Sequence, residues 1–183
     1  MRGRSPVHHT AHMTDTSAQD TRVDPPFHGD ERELLSAFLD YLRGTIAHKS
    51  AGLSEEDTHR SVLPSPLMTV AGLLSHLRWV EAYWFEVALS GQPDRAPYSA
   101  EHPDGEFEIA ANLTTAELLA DYAGQCERSR EITAGLGLDD TVAFRDGKRL
   151  SLRWVLIHMV EETGRHAGHL DVIRELLDGA TGE

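Results

Sequence analysis

His76 stands in the apolar run Leu73-Leu74-Ser75-His76-Leu77-Arg78-Trp79-Val80, and far downstream His158, Glu162, His166 and His169 crowd one stretch. Imidazole and carboxylate groups are ligands of divalent metals, and a ring nitrogen on a core-facing helix must find a partner. Glu162 and His166 are four residues apart, so on a helix they stack one turn apart and can hold one ion together. His76, from another helix, would add a third ligand. Two histidines and a carboxylate suit zinc, nickel or another borderline divalent ion, and three protein ligands leave a position open for water or substrate. With neutral imidazoles and one carboxylate the ion keeps a charge of about +1, which lowers the pKa of a bound water or thiol.

Helical geometry ranks the candidates. At ~100° per residue, His166 falls within about 20° of Met159, in the core direction of the last helix, and Glu162 about 60° to one side. His158 and His169 lie roughly 80–100° off, and His76 sits about 60° from the Leu73–Leu77 direction of its own helix. These are flank positions, where side chains meet across neighbouring helices. A plainer alternative stands beside this one. A lone histidine on a helix flank is commonly a hydrogen-bonded structural residue, Glu-x-x-x-His is a common helix-face pair, and no His-Glu-x-x-His signature is present.

The elements that must position these groups follow from caps and periodicity. Asp30 and Glu33 have capping-box spacing and open a first helix with Leu34, Leu35, Phe38, Leu39, Leu42 and Ile46 on one face. Gly52 stops it, and Ser54-Glu55-Glu56-Asp57 predicts a short extra turn. Ser65 and Pro66 predict the start of a second helix that runs to Ser90 and ends at Gly91. Its stripe is Leu67, Val70, Leu74, Leu77, Val80, Trp84 and Val87 or Ala88. Residues 91–113, rich in proline, form a crossover long enough to let helices two and three run parallel. Thr114 and Glu117 make a second capping box, opening a helix with Leu118, Leu119, Tyr122, Cys126, Ile132 and Leu136. Asp146-Gly147 predicts a small hairpin between Gly135 and Leu150, and the last helix runs from near Ser151 to Asp178-Gly179. Four amphipathic helices with almost no strand signal predict an all-α four-helix bundle over residues 30–183. Residues 1–29 read as a disordered leader, where His8, His9 and His12 lack a scaffold.

Composition narrows the function. The net charge of -13, from 30 acidic and 17 basic residues, opposes binding to nucleic-acid phosphates. Cys126, the only cysteine, excludes an internal disulfide and a cysteine metal knuckle, and with the acidity fits the cytoplasm. No apolar run approaches membrane-span length, and no apolar segment follows the first basic residues to make a secretory signal.

The stretches His76-Leu-Arg-Trp-Val-Glu-Ala-Tyr-Trp-Phe85 and Leu152-Arg-Trp-Val-Leu-Ile-His-Met-Val-Glu-Glu-Thr-Gly-Arg-His-Ala-Gly-His-Leu-Asp171 resemble the DinB-like metalloprotein superfamily. More narrowly they are similar to an actinobacterial subfamily of unknown function related to mycothiol-dependent maleylpyruvate isomerase, over about residues 24–183. The scarcity of lysine, Lys49 and Lys148 only, fits a GC-rich genome of that lineage. The resemblance implies a four-helix bundle, commonly dimeric, that holds a divalent metal through three side chains. One is a histidine on helix two, matched by His76. The others are four apart on the last helix, glutamate then histidine in the mycothiol-dependent branch, matched by Glu162 and His166. His169 falls where the family often has another histidine.

The expected function is therefore a cytoplasmic metal-dependent enzyme of thiol-transferase or isomerase type. The metal would hold a low-molecular-weight thiol, plausibly mycothiol, as the thiolate that attacks a small electrophile. His169 and His158 are candidates for proton transfer, and His158 also for an alternative ligand. Arg165 and Arg78 are candidates for holding a substrate carboxylate, or else surface ion-pair partners. Trp79, Tyr83, Trp84, Phe85 and Trp154 read as core or dimer-interface packing, and His48 and His59 as structural or exposed. Specificity is expected from the loops 91–113 and 137–150, which carry no recognisable chemistry. The alternatives are a metal-dependent hydrolase and a non-catalytic metal or small-ligand binder.

Overall fold

The Asp30 side chain accepts from the Glu33 backbone N–H at 2.8 Å and opens α1, Glu31–Ser50, in a computed structural model that describes residues 22–182. Most of the expected leader, with His8, His9 and His12, lies outside the described residues. The buried residues of α1 are Leu39, Arg43, Thr45, Ile46 and Ser50, while Phe38, expected on that face, is exposed. The apolar stripe read from the sequence was therefore rotated, because a buried arginine occupies its centre. The short turn forms as α2, Glu55–His59, capped by Ser54.

The next helix, α3, spans Val70–Glu81 and starts later than expected. Thr69, not Ser65, caps it, accepting from the Gly72 N–H at 2.9 Å. Pro66 instead takes the second position of a turn closed by the Met68 N–H on the Ser65 carbonyl, where its fixed φ fits equally well. Beyond Glu81 the chain continues as a π-helix, Ala82–Leu89. Its wider turn buries Ala82, Phe85 and Leu89, and leaves Trp84 and Val87, expected in the stripe, only half-buried.

The crossover is not featureless. It carries α4, Gly105–Glu108, and a 3-10 turn, Ile109–Asn112. Then α5, Thr115–Thr133, opens on the expected capping box of Thr114 and Glu117. The hairpin pairs β1, Thr141–Ala143, with β2, Arg149–Ser151, antiparallel. Asp146 (φ 55°) and Gly147 (φ 74°) make its turn in the left-handed region that aspartate and glycine tolerate. Ser151 caps α6, Leu152–Asp178, and Gly179 (φ 79°) ends it.

Contacts fix the helix directions. Glu31 pairs with Arg153, and Arg174 donates to the Lys49 carbonyl at 2.6 Å, so α1 and α6 are parallel. Arg78 pairs with Asp121, and Glu86 accepts from Gln125 and Arg128, so α3 and α5 are also parallel, as the crossover allows. His76 faces Glu162 while Trp84 meets His158, so α3 opposes α6. The fold is thus a mostly helical, all-α bundle. None of its described helices is long and apolar enough to cross a membrane.

The core has two apolar halves. One gathers Ile46, Leu73, Leu77, Tyr122 and Leu170; the other Leu39, Phe85, Leu152, Val155 and Met159. Between them lies a buried polar level of Arg43, Glu81, Ser129 and Thr163, one residue from each bundle helix. The triad side chains lie between α3 and α6, His76 among the α3 residues of the first half and Glu162 directly before Thr163.

Candidate metal centre

His76 on α3 and Glu162 and His166 on α6 each present one ligand-type atom, and these lie within 4.8 Å of one another. The Glu162 Oε1 stands 3.4 Å from His76 Nε2 and 3.1 Å from His166 Nε2. The three side chains are 16, 13 and 10% exposed, so a species between them would be largely shielded from water.

Both rings are tied back by their other nitrogen. The His76 Nδ1 is 3.1 Å from Glu106 Oε2, and the His166 Nδ1 is 3.2 Å from His169 Nδ1. A carboxylate beside Nδ1 accepts its N–H, which leaves the His76 Nε2 lone pair facing inward. Burial, then the neighbouring His166 and Arg165 charges, hold the His169 pKa below the ordinary value, so His169 is neutral and can accept from His166 in the same way. The donor set, two inward Nε2 atoms and one carboxylate oxygen with outward support, fits a divalent ion.

Glu106 was missed by sequence reasoning, which assigned the 91–113 loop no chemistry. Its placement depends on a close approach. A Cβ on Gly105 would stand 1.7 Å from the Pro97 carbonyl oxygen, so only glycine lets the loop fold back here. Ser75 on α3 then donates to the Glu106 carbonyl, and Phe107 stacks on the His76 ring at 4.5 Å. The available signal was Asp104-Gly105-Glu106, an acid directly after a turn glycine in a long loop. His59 proves structural, its Nε2 lying 3.2 and 3.0 Å from the Ala110 and Leu113 carbonyls and pinning the crossover to α2.

The remaining expected residues are placed differently. His158 is outside the triad; its ring stacks on Trp154 at 5.0 Å and meets Trp84 edge-on at 4.7 Å. Arg165 is exposed, bonded to Glu161, with Nη1 3.7 Å from Glu162 Oε2. Arg78 pairs with Asp121 at 2.8 Å and covers the Trp79 ring. Phe85 is buried as expected, but Trp79, Tyr83 and Trp84 line a cavity and Trp154 is half-exposed.

Charge follows from this geometry. Burial opposes protonation of His76, but hydrogen bonds to Glu106 and Glu162 outweigh it and push its pKa up to about 9. Hydrogen bonds from His166 and His76 hold Glu162 well below the usual carboxylate range. In chelator-treated protein, the raised His76 pKa contributes stability that is fully present below the unfolded value near 6.5 and lost as pH rises through about 9. The loss is expected to reach at most about 3 kcal/mol. Thermal melts across that window, with His76→Gln as reference, read it; the same pH slope in both proteins would refute it. With metal present the trend reverses, because an ion requires neutral His76.

No curated protein matches the chain. A family model described as mycothiol-S-transferase matches residues 34–179, a span that includes all but the start of α1, the whole of α3, α5 and α6, the crossover with Glu106, and the triad. The resemblance to mycothiol-dependent members of the DinB-like superfamily is borne out by that match, and the chain belongs to the mycothiol-S-transferase family.

Proposed function

We propose that the protein is a divalent-metal-dependent thiol S-transferase in which His76, Glu162 and His166 hold the ion. The carrying observation is the convergence of three ligand atoms whose imidazoles are both fixed from outside, by Glu106 and His169. An ion there, zinc suiting the donors best, supplies the positive charge that keeps a thiol in its nucleophilic thiolate form. Family membership makes mycothiol the co-substrate of choice.

The residues divide the remaining work. Glu106 and His169 keep the triad rings in one tautomer, so both are positioning residues. His169 was expected to move protons, but its Nδ1 is engaged by His166. His158, one turn before Glu162 and against the cavity wall residue Trp84, takes the proton-transfer role in this reading. Arg165, whose Nη1 is 3.7 Å from Glu162 Oε2, steers an anionic group toward Glu162 in this reading. The proposal extends to a homodimer in the cytoplasm, its association state read by sedimentation.

Titrating the cobalt-substituted protein with mycothiol tests the reading. The visible spectrum is expected to shift on thiol addition, and thiol to be consumed when an electrophile follows. A spectrum unmoved by thiol, in protein that hydrolyses an ester, would assign the site to hydrolysis instead.

A further inference from the structure

A cavity of about 210 Å³ lies beside the triad, walled by Trp79, Tyr83 and Trp84, by Tyr98 and Glu106 of the crossover, and by Arg145 of the hairpin turn. Glu106 joins it to the metal centre, since the same carboxylate holds His76. The cavity has two kinds of surface. Its body is aromatic, flat and suited to a planar apolar group. Its polar groups are mostly engaged: Glu106 with His76, and the Tyr98 hydroxyl donating to Asp94.

Arg145 is the exception. It donates to the Tyr83 hydroxyl, and its guanidinium lies 5.3 Å from the Tyr83 ring centre and 5.4 Å from that of Phe144. Among the described residues no carboxylate pairs with it, in a chain where acids outnumber bases 30 to 17. The turn fixes its backbone: the Phe144 N–H donates to the Lys148 carbonyl at 2.8 Å, across the left-handed Asp146 and Gly147. An arginine held by two rings, with N–H groups to spare and no acid partner, is preorganised for an anion, and its fork matches a carboxylate.

We propose that this cavity takes the electrophilic co-substrate, and that its class is a planar aromatic electrophile with a displaceable halide and a carboxylate that pairs with Arg145. The inference rests on the thiol-transferase reading for the reaction, but not for the binding. In an aromatic substitution the sulfur–carbon bond forms and the carbon–halogen bond breaks. The halide leaves with the bonding electrons, and the thiol proton passes through His158 to solvent. The hairpin and the crossover, expected to set specificity, thereby do so through Arg145 and Tyr98.

Two measurements on the metal-loaded full chain test it. Nitrobenzoate and its methyl ester, which do not react, are titrated by quenching of tryptophan fluorescence, since Trp79 and Trp84 form the wall. Arg145→Gln is expected to weaken nitrobenzoate binding roughly tenfold or more and to leave the ester within about twofold. Arg145 is exposed, so the variant folds, and saturating mycothiol is expected to leave nitrobenzoate affinity unchanged. The second measurement is thiol transfer to a chloronitrobenzoate, chlorine ortho to the nitro group, against its methyl ester. Each kcat/KM is divided by the substrate's uncatalysed rate with the free thiolate, which corrects for the stronger activation by the ester. The acid is expected to have the higher ratio, and Arg145→Gln to erase the difference. Equal corrected ratios for acid and ester in the wild type overturn the inference and leave the transferase reading standing. Competition between mycothiol and nitrobenzoate overturns it too, by giving the cavity to the thiol. Arg145-dependent nitrobenzoate binding without any turnover upholds the anion site and counts against the transferase reading.

Discussion

Alanine at His76, Glu162 or His166 is expected to lower bound metal from about one ion per chain to near zero, and thiol transfer at least ~100-fold. Each substitution leaves two ligands, too few to fix a borderline divalent ion against water. The three losses should be similar, because the three atoms lie within 4.8 Å of one another. His158 is not a substitute ligand, being held between Trp84 and Trp154. Alanine at Glu106 or His169 should cost less, roughly 10–100-fold in metal affinity, since these residues act only through the rings they support. Elemental analysis of purified variants reads both sets, with circular dichroism confirming that each bundle folds. Stoichiometric metal in any of the three triad variants would remove that residue from the ligand set.

The second large effect concerns stability. Removing one partner of Arg43–Glu81 is expected to cost about 3–5 kcal/mol, whereas Arg43→Met with Glu81→Leu together should restore most of it. The Arg43 Nε and Nη2 reach the two Glu81 oxygens at 2.7 Å each, with Arg43 6% and Glu81 0% exposed. Asp40 accepts a further bond from Arg43 at 2.9 Å, and the Phe85 ring lies under the guanidinium. Burial works against the charge, but the Glu81 carboxylate more than offsets it and holds the Arg43 pKa above its already high value. Removing Arg43 strands the Glu81 charge between two apolar half-cores, and removing Glu81 leaves the buried guanidinium with only the partly exposed Asp40, at 2.9 Å, as its carboxylate partner. Urea melts of the two singles and the double measure it. A double variant as unstable as the singles would show that the level needs the ions for more than their mutual neutralisation.

These two predictions concern neighbouring residues that were unequally legible in the sequence. The triad could be found because Glu162 and His166 repeat at one helical turn and His76 interrupts an apolar run. The Asp30 cap, the Thr114–Glu117 capping box, the hairpin turn and the parallel run of helices two and three were equally local or length-based signals. Arg43 and Glu81 carried a signal that went unread: opposite charges on the buried stripes of two helices, between Leu39 and Ile46 and between Leu77 and Phe85. Periodicity assigns charges outward, so it rotated the first stripe onto Phe38. The π-helix after Glu81 was invisible because Ala82–Leu89 also satisfies an α-helical pattern, and only packing distinguishes them. Glu106 and Arg145 sit in loops, where position comes from close approaches and turns rather than from any repeat.

The parallel packing of α1 on α6 also bears on how the chain is made. The first helix ends at Ser50 and its partner begins at Leu152, so about a hundred residues must be synthesised between them. At ~5–20 residues per second, α1 leaves the ribosome roughly 5–20 s before the helix that covers it exists. Through that interval the buried face of α1, Leu39 and Ile46 with Arg43 between them, depends on nascent α3 and α5 or on a chaperone.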